Sequence, residues 1–307
     1  MEDSTKGEQA GKAAAEPAEA TVTADEIVVV KPPEAADGVA ADDAVEENPE
    51  IAEDGDEDED EEGGGLAELF STVAWALGIA IVLRTFIFQP FTIPSPSMYP
   101  GLLEGDYVIT SKYSVGYGKN AAAPLPFPDV KGRLLGRGPD RGEVIVFRPD
   151  GVKENFIKRV VGLPGDRLQM IDGRLHINGE ALPTEYVRNE PYRYLVGGEE
   201  FGLFDVEVLR ETLPGADRPH LIYDAIKNNN ADDTGVFTVP AGHYFMMGDN
   251  RDFSGDSRAP NGIGYIPAEN IIGRAEFILL SVDEDFVLYK PWTWHNMRGK
   301  RFFKRIR

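Results

Sequence analysis

Residues 156–166 read FIKRVVGLPGD, in which one lysine stands among apolar and largely β-branched residues. Such a run predicts a strand, and alternation along it places Phe156, Lys158 and Val160 on one face. Burial on an apolar face disfavours the charged form of a lysine and lowers its pKa, so that a neutral amine becomes available as a general base. A lysine on an edge strand that faces water is the ordinary alternative for the same pattern.

A serine without a neighbouring histidine offers a partner for such a base. Residues 93–100 read IPSPSMYP, and no histidine lies near this segment or near Lys158 in the sequence. The prolines stiffen the chain and favour an exposed, fixed loop around Ser97. Serine is a weak nucleophile at its free pKa and needs an adjacent base. Ser97 and Lys158 are therefore a candidate pair, with a proline-rich linker as the alternative for the serine segment.

An apolar stretch precedes the serine segment directly. Residues 69–83 carry no charge and are flanked by Glu68 and Arg84. Fifteen helical residues rise about 22 Å, so the apolar residues 86–88 and a snorkelling Arg84 are needed to approach the roughly 30 Å of a bilayer core. We predict a transmembrane helix over 66–90. A buried core helix is the alternative, and a cleavable signal peptide is disfavoured because the stretch starts too far into the chain.

The charge of the chain is unevenly distributed. Of the net charge of −22, −20 lies in residues 1–65, which leaves about −2 for the rest. The acidic segment has too little apolar surface to offset the entropy of ordering it, so we predict a disordered tail. The absence of cysteine excludes disulfides and thiolate chemistry, and four scattered histidines without a ligand motif give no reason to expect a metal.

The part of the chain after the apolar stretch reads as β structure. It has no long amphipathic helix, and Asp172-Gly173 and Asn178-Gly179 each predict a tight turn between strands. Residues 186–235 are polar and irregular, which indicates an insertion between core strands. We therefore expect a mostly antiparallel β domain. The predicted strands are 107–110, 143–147, 168–171, 174–177, 236–239, 244–247 and 277–282.

A third polar segment follows a predicted strand. Residues 248–258 read GDNRDFSGDSR and follow the apolar residues 244–247, which indicates a strand leading into a hydrogen-bonded loop. A surface turn is one alternative, and a calcium loop is another, although the spacing is not that of an EF-hand. Near the C-terminus, residues 292–307 mix tryptophan with basic residues, a composition typical of contact with a membrane surface or of a solvated tail. Nucleic-acid binding is disfavoured because no recognised module accompanies this segment.

The three segments, in this order and with Gly105-Asp106-Tyr107 between them, closely resemble those of bacterial type I signal peptidases, also called leader peptidases. The resemblance extends from about Arg84 to Arg274, plus the preceding anchor. It implies a mainly β fold: an antiparallel catalytic domain with a smaller inserted β subdomain, preceded by one transmembrane helix and the disordered acidic tail. The expected division of the chain is 1–65 tail, 66–90 anchor, 91–168 and 236–307 catalytic core, and 169–235 inserted subdomain.

The resemblance also implies roles for individual residues. Ser97 matches the nucleophile and Lys158 the general base. Ser95 matches the residue whose hydroxyl joins the Ser97 amide in the oxyanion hole, and Ser254 the serine that orients the lysine. Two ion pairs are implied in which the acids come from the third segment, namely Asp249 with Arg159 and Asp256 with Arg258. The positions that match the pockets for small side chains of the substrate are Phe91, Ile93, Met98, Val146, Phe156 and Ile157.

Two positions depart from the family pattern. The family usually has glycine between the two serines and threonine after the following proline, where this chain has Pro96 and Gly101. Pro96 favours an extended conformation for Ser95 and removes one backbone donor. The presence of Pro96 is therefore expected to affect the geometry of the oxyanion hole.

The activity that the resemblance implies is the removal of signal peptides from exported preproteins at A-x-A sites, without a metal or cofactor. The implied partners are preprotein signal peptides and the lipid bilayer, with no nucleic acid. The implied location is the bacterial cytoplasmic membrane, crossed once, with the catalytic domain outside and the tail in the cytoplasm. Arg84 downstream of an acidic flank favours the opposite orientation. Two other functions stay open at this point, a non-catalytic tethered β module that binds exported proteins and a self-cleaving Ser/Lys protease.

Overall fold

The computed structural model of the chain describes residues 62–121, 133–196, 199–283 and 285–306. Its first element is the helix α1, Glu62–Val82, which continues into a π-helical turn, Leu83–Ile87. The helix begins four residues before the predicted anchor, and the rest of the predicted tail lies outside the described residues. Within the described part of the chain, one helical segment is long and apolar enough to cross a membrane, Glu68–Ile87, with a mean hydropathy of 1.8.

The apolar helix is not part of a protein core. Only 6% of its most apolar window is buried against the rest of the chain. An exposed apolar surface of this length needs lipid or another apolar partner. The alternative of a buried core helix is therefore wrong.

The remainder of the described chain is built from fifteen strands. The strands are β1 Phe88–Thr92, β2 Asp106–Ser111, β3 Val144–Phe147, β4 Phe156–Gly162, β5 Arg167–Ile171, β6 Arg174–Ile177, β7 Glu180–Ala181, β8 Thr184–Val196, β9 Glu199–Glu211, β10 His220–Asp224, β11 Phe237–Thr238, β12 His243–Met247, β13 Ile266–Pro267, β14 Ile271–Ser281 and β15 Lys304–Arg305. Short 3₁₀ turns lie at Pro96–Met98, Ala268–Asn270, Pro291–Asn296 and Gly299–Arg301.

The strands form three sheets. The largest has the order β1-β2-β14-β3-β4-β12-β13, with β15 also paired to β14, and the smaller ones have the orders β11-β5-β6-β7 and β10-β9-β8. Every pairing between these strands is antiparallel. The prediction of a mainly antiparallel β fold is confirmed. Strands β5 to β11 supply both smaller sheets. That residues 169–235 form a separate inserted subdomain stays a prediction.

Both predicted tight turns are present. Asp172 and Gly173 connect β5 to β6 with φ values of 50° and 71°, and Asn178 and Gly179 connect β6 to β7 with 56° and 89°. Positive φ at both central residues is the requirement of a type I′ hairpin turn, which Asn-Gly and Asp-Gly meet most easily.

The polar segment 186–235 is more regular than its sequence indicates. It includes most of β8 and all of β9, two strands of thirteen residues each. Their sheet has only three strands, and its buried side is a small cluster around Tyr192, Val206 and Val208. Most other described side chains of these strands are exposed or only half-buried and need not be apolar, which is why the sequence pattern missed the strands.

Strand β4, which carries the candidate base, lies in the interior of the large sheet. It pairs with β3 on one side and β12 on the other, and all seven of its residues are buried. Phe156 and Val160 belong to one apolar cluster and Ile157 to another, as the predicted alternation requires. The edge-strand alternative for Lys158 is therefore wrong.

Candidate active site

The structure brings Ser97 and Lys158 together from segments 61 residues apart. Ser97 lies in the 3₁₀ turn Pro96–Met98, and Lys158 is the third residue of β4. The Lys158 Nζ and Ser97 Oγ atoms are 2.5 Å apart, and both side chains are fully buried. A nucleophile and its base must be within hydrogen-bond reach, and this pair meets that condition.

Burial changes the ionisation of the candidate base. The pKa of Lys158 is lowered from the ordinary 10.5 to about 8, chiefly by burial; the charges of Asp256 and Asp249 oppose this shift, and that of Arg258 adds to it. At this pKa roughly one amine in ten is neutral at pH 7, against fewer than one in a thousand for an ordinary lysine. The site therefore supplies a usable fraction of neutral amine.

A second buried lysine, Lys112, was missed by the sequence analysis. Burial, followed by the charge of Arg84, lowers the pKa of Lys112 to about 8 as well. Its Nζ atom donates to the Thr85 carbonyl at 3.0 Å instead of to a hydroxyl. The two lysines have similar pKa values, so it is the contact with Ser97 that distinguishes Lys158 as a candidate base.

Ser95 caps the turn that carries the nucleophile. The Ser97 amide N–H points to Ser95 Oγ at 3.5 Å, the long limit for a hydrogen bond, and Ser95 is extended with φ −146° and ψ 158°. The extended conformation agrees with the effect expected of Pro96. Pro96 occupies the first position of the turn, where a missing N–H costs no hydrogen bond. The turn therefore tolerates this departure from the family pattern, and the oxyanion hole of Ser95 and the Ser97 amide stays a prediction.

Gly101, the other departure, lies against the third segment. A Cβ atom at this position would come 3.2 Å from Asp249 Oδ2 and 3.4 Å from the Met98 carbonyl oxygen. A threonine there would press on Asp249. Glycine leaves that carboxylate free to keep its ion pair.

Ser254 lies close to the Ser97 turn but forms no hydrogen bond with Ser97 or Lys158. Its Oγ atom is buried and has no hydrogen-bond partner among the described residues. A Cβ atom on Gly248 would come 2.2 Å from Ser254 Oγ and 2.5 Å from the Ser97 carbonyl oxygen. Glycine at 248 thus allows Ser254 and the serine turn to meet. The role of Ser254 in orienting Lys158 stays a prediction.

Both implied ion pairs are present and buried. Arg159 donates from Nε and Nη2 to the two carboxylate oxygens of Asp249 at 2.7 and 2.6 Å. Arg258 donates to Asp256 at 3.0 and 2.9 Å, and Asp256 also accepts the Gly248 amide at 3.0 Å. Burial would raise the pKa of Asp256, but the charge and hydrogen bonds of Arg258, together with the Gly248 amide, more than offset this effect, so the pKa is lowered. Since Asp249 belongs to the third segment and Arg159 to β4, their pair ties the third segment to the lysine strand.

A buried histidine next to this network was also missed. His220 Nε2 is 3.9 Å from Asp249 Oδ1, too far for a hydrogen bond, and it has no hydrogen-bond partner among the described residues. Burial and the charges of Arg159 and Arg251 lower the pKa of His220 well below 6.5, so the ring is neutral near pH 7. Among the described residues, no histidine forms a hydrogen bond with Ser97 or Lys158.

The six predicted pocket residues are all buried but do not form one group. Phe156 packs in a neighbouring cluster, where its ring lies 6.0 Å from that of Phe147. Their assignment to substrate pockets stays a prediction. The other five share a single cluster next to the serine turn, namely Phe91, Ile93, Met98, Val146 and Ile157. Within the residues that the structure describes, no three acidic or histidine side chains are grouped to hold a metal.

The chain is similar to known proteins over most of its length. Residues 66–280 match the family described as signal peptidase, peptidase S26. Signal peptidase I of Rickettsia typhi is 37% identical over 260 residues, which cover 77% of this chain and 92% of the relative. Signal peptidase I of Rickettsia rickettsii matches with the same identity and coverage. A crystal structure of a signal peptidase I from Enterococcus faecalis matches 45% of this chain and 97% of its own at 26% identity, with a TM-score of 0.26.

Proposed function

Because this chain belongs to the S26 family of signal peptidases, serine peptidases that remove signal peptides from preproteins, we propose that it does so with Ser97 as the nucleophile and Lys158 as the general base. The observation that supports the pair is the 2.5 Å contact between Lys158 Nζ and Ser97 Oγ inside a buried site. The family assignment removes the two alternatives that the sequence left open, the tethered binding module and the self-cleaving protease.

The proposed reaction has two steps that use the same base. Neutral Lys158 accepts the proton of Ser97 as Oγ attacks the scissile carbonyl carbon, and the Ser97 amide and the Ser95 hydroxyl stabilise the oxyanion. Protonated Lys158 then gives its proton to the leaving amine, which departs as the mature protein. Water next loses a proton to Lys158 and attacks the ester carbon. The proton returns to Ser97 Oγ as the acyl bond breaks, which restores the enzyme.

The apolar helix is proposed to anchor this chemistry at a membrane. Ser97 follows Arg84 by only 13 residues, so a site joined to an embedded helix stays near the lipid surface. A signal peptide presents its cleavage site just beyond an apolar segment, and confinement of enzyme and substrate to one membrane raises their effective concentration. Cleavage on the translocated side places the catalytic domain outside the bacterial cytoplasmic membrane and the tail inside.

The function is tested by the pH dependence of cleavage. The value of kcat/KM is expected to rise about tenfold per pH unit up to about pH 8 and to level off above it, because only neutral Lys158 accepts the serine proton. Initial rates on a fluorogenic peptide with an A-x-A site, measured in detergent from about pH 5 to about pH 10, check this. Mass spectrometry of the products must place the cut after that site.

Two outcomes of this measurement would contradict the proposal. A flat profile would show that no lysine deprotonation limits the reaction. If kcat/KM instead stops rising near pH 6.5, the ordinary pKa of histidine, the base is a histidine and not Lys158.

A further inference from the structure

Asn250, in the third segment, contacts the backbone on both sides of the nucleophile. It is fully buried, and its Nδ2 atom donates to the Pro96 carbonyl oxygen at 3.1 Å. Its backbone N–H donates to the Ser97 carbonyl oxygen at 3.1 Å. One residue therefore holds both peptide groups that flank the side chain of Ser97.

The Pro96 carbonyl and the Ser97 amide belong to the same peptide group. In a planar trans peptide the C=O and N–H bonds point in opposite directions, so a fixed carbonyl fixes the direction of the N–H. The Pro96 oxygen accepts a second hydrogen bond, from the Tyr99 amide at 2.9 Å. Two donors on this oxygen polarise the peptide and strengthen its N–H as a donor.

The Ser97 N–H is available for a stronger bond than the one that it makes. Its contact with Ser95 Oγ is 3.5 Å long, at the limit of a hydrogen bond. A substrate oxyanion is a better acceptor than a hydroxyl, because hydrogen bonds to charged groups are shorter and stronger.

Tyr192 fixes the amide of Asn250 from the inserted strands. The Asn250 Nδ2 atom also donates to the Tyr192 hydroxyl at 3.2 Å, and the Tyr192 ring packs 5.6 Å from both Tyr99 and Tyr223. The orientation of the amide follows from its partner, because a carbonyl oxygen can only accept and Nδ2 must face Pro96. Asn250 Oδ1 is left buried without a hydrogen-bond partner among the described residues, so this orientation leaves an unsatisfied acceptor.

We propose that Asn250 is a positioning residue for the oxyanion hole: it holds the Pro96–Ser97 peptide so that the Ser97 N–H meets the developing oxyanion, and Tyr192 holds Asn250. This inference rests on the proposed role of Ser97 as the nucleophile.

The test uses Asn250→Asp, which keeps the size of the side chain and removes the donor. The expected loss in kcat is about 30-fold, less than the 10²–10³-fold that removal of an oxyanion donor costs, with KM changed by about twofold or less. Tyr192→Phe is expected to lower kcat about threefold through the same contact. Asn230→Asp, at an exposed position, is the matched control and is expected to match the wild type.

Two ligands separate positioning from a general loss of structure. A peptide aldehyde adds to Ser97 Oγ and forms a tetrahedral oxyanion, so its affinity for Asn250→Asp is expected to fall by the same factor as kcat. An uncleavable peptide with proline after the scissile bond reports ground-state binding, and its affinity should not change. Equal losses for both ligands, or a kcat equal to that of the wild type, would overturn the inference. Full activity of Ser97→Ala would instead contradict the proposed function.

A second inference concerns the other buried lysine and the end of the apolar helix. Three successive carbonyls there accept hydrogen bonds from one segment of the β domain. The Lys112 Nζ atom donates to Thr85 at 3.0 Å, the Tyr117 hydroxyl to Phe86 at 2.7 Å, and the Lys112 amide to Ile87 at 2.9 Å.

The last carbonyls of a helix have no partner inside the helix and carry partial negative charge. Near lipid, an unsatisfied carbonyl is costly, so these groups need partners from the protein. Lys112 and Tyr117 supply them, and Lys112 adds a positive charge to the negative end of the helix. Both residues lie soon after β2, so each bond connects the end of the apolar helix to the segment that follows this strand of the large sheet.

We infer that Lys112 and Tyr117 are a clamp that sets the position of the catalytic site relative to the membrane. The clamp acts on presentation of the embedded substrate and leaves the chemistry at Ser97 unchanged. It depends on the helix being embedded, and it does not depend on which residue is the base.

Two substrates test the clamp. Lys112→Met is expected to slow cleavage of a preprotein in shared proteoliposomes about tenfold, while cleavage of a short soluble peptide in detergent stays within about twofold of the wild type. Tyr117→Phe, which removes one hydroxyl, is expected to lower only the proteoliposome rate, about threefold. Lys153→Met, at an exposed position, is the matched control. Equal losses with both substrates, or no loss with either, would overturn the clamp.

Discussion

Replacement of Ser97 by alanine is expected to lower preprotein cleavage by about 10⁴-fold or more, because no other group replaces an attacking oxygen. The folded state should persist. The change removes one hydroxyl, whose hydrogen bond to Lys158 contributes about 1 kcal/mol. Cleavage of a preprotein with an A-x-A site, followed on gels and by mass spectrometry, measures the loss, and thermal unfolding measures the stability.

Ser71→Ala is the matched control for this variant. It removes a serine hydroxyl from an exposed position on α1 and should leave cleavage unchanged. If Ser97→Ala cleaves as fast as the wild type, Ser97 is not the nucleophile. If both variants lose activity, the loss comes from the membrane-bound preparation and carries no information on the site.

The sequence was sufficient for features that local chemistry determines. The tight turns at Asp172-Gly173 and Asn178-Gly179 follow from the two residue types that tolerate positive φ. The neutral-lysine hypothesis for Lys158 follows from the apolar residues around it. Its location in an interior strand does not, because a run of buried residues has the same pattern at an edge and in the middle of a sheet.

Contacts between distant segments could not be predicted in this way. The bond from Asn250 to Pro96 joins residues 154 positions apart, and that from Lys112 to Thr85 uses a lysine with no sequence signal of burial. The separation of Phe156 from the other predicted pocket residues depends on which cluster each face of β4 meets. Alternation predicts that the faces differ but not what covers them.

The second large effect is expected on replacement of Lys158 by methionine, which keeps most of the side-chain volume and removes the amine. Cleavage should fall by about 10⁴-fold at every pH, since no neutral base remains to accept the serine proton. Lys158→Arg should be equally inactive, because a guanidinium stays protonated throughout this range. Lys153→Met, at an exposed position, is again the matched control.

This loss of activity should accompany unchanged or higher stability, which separates a catalytic role from a structural one. The folded pKa of about 8 lies below the unfolded value of 10.5, so holding the charge in the folded state costs about 3 kcal/mol near pH 7. Between these two pH values the unfolded chain binds more protons than the folded chain, so the unfolding free energy of the wild type rises with pH.

The unfolding free energy of Lys158→Met should lack this rise with pH. Its advantage in unfolding free energy, up to about 3 kcal/mol at pH 7, should shrink toward zero by about pH 10.5. A methionine variant that is inactive and also several kcal/mol less stable would indicate that Lys158 supports the fold instead of the reaction.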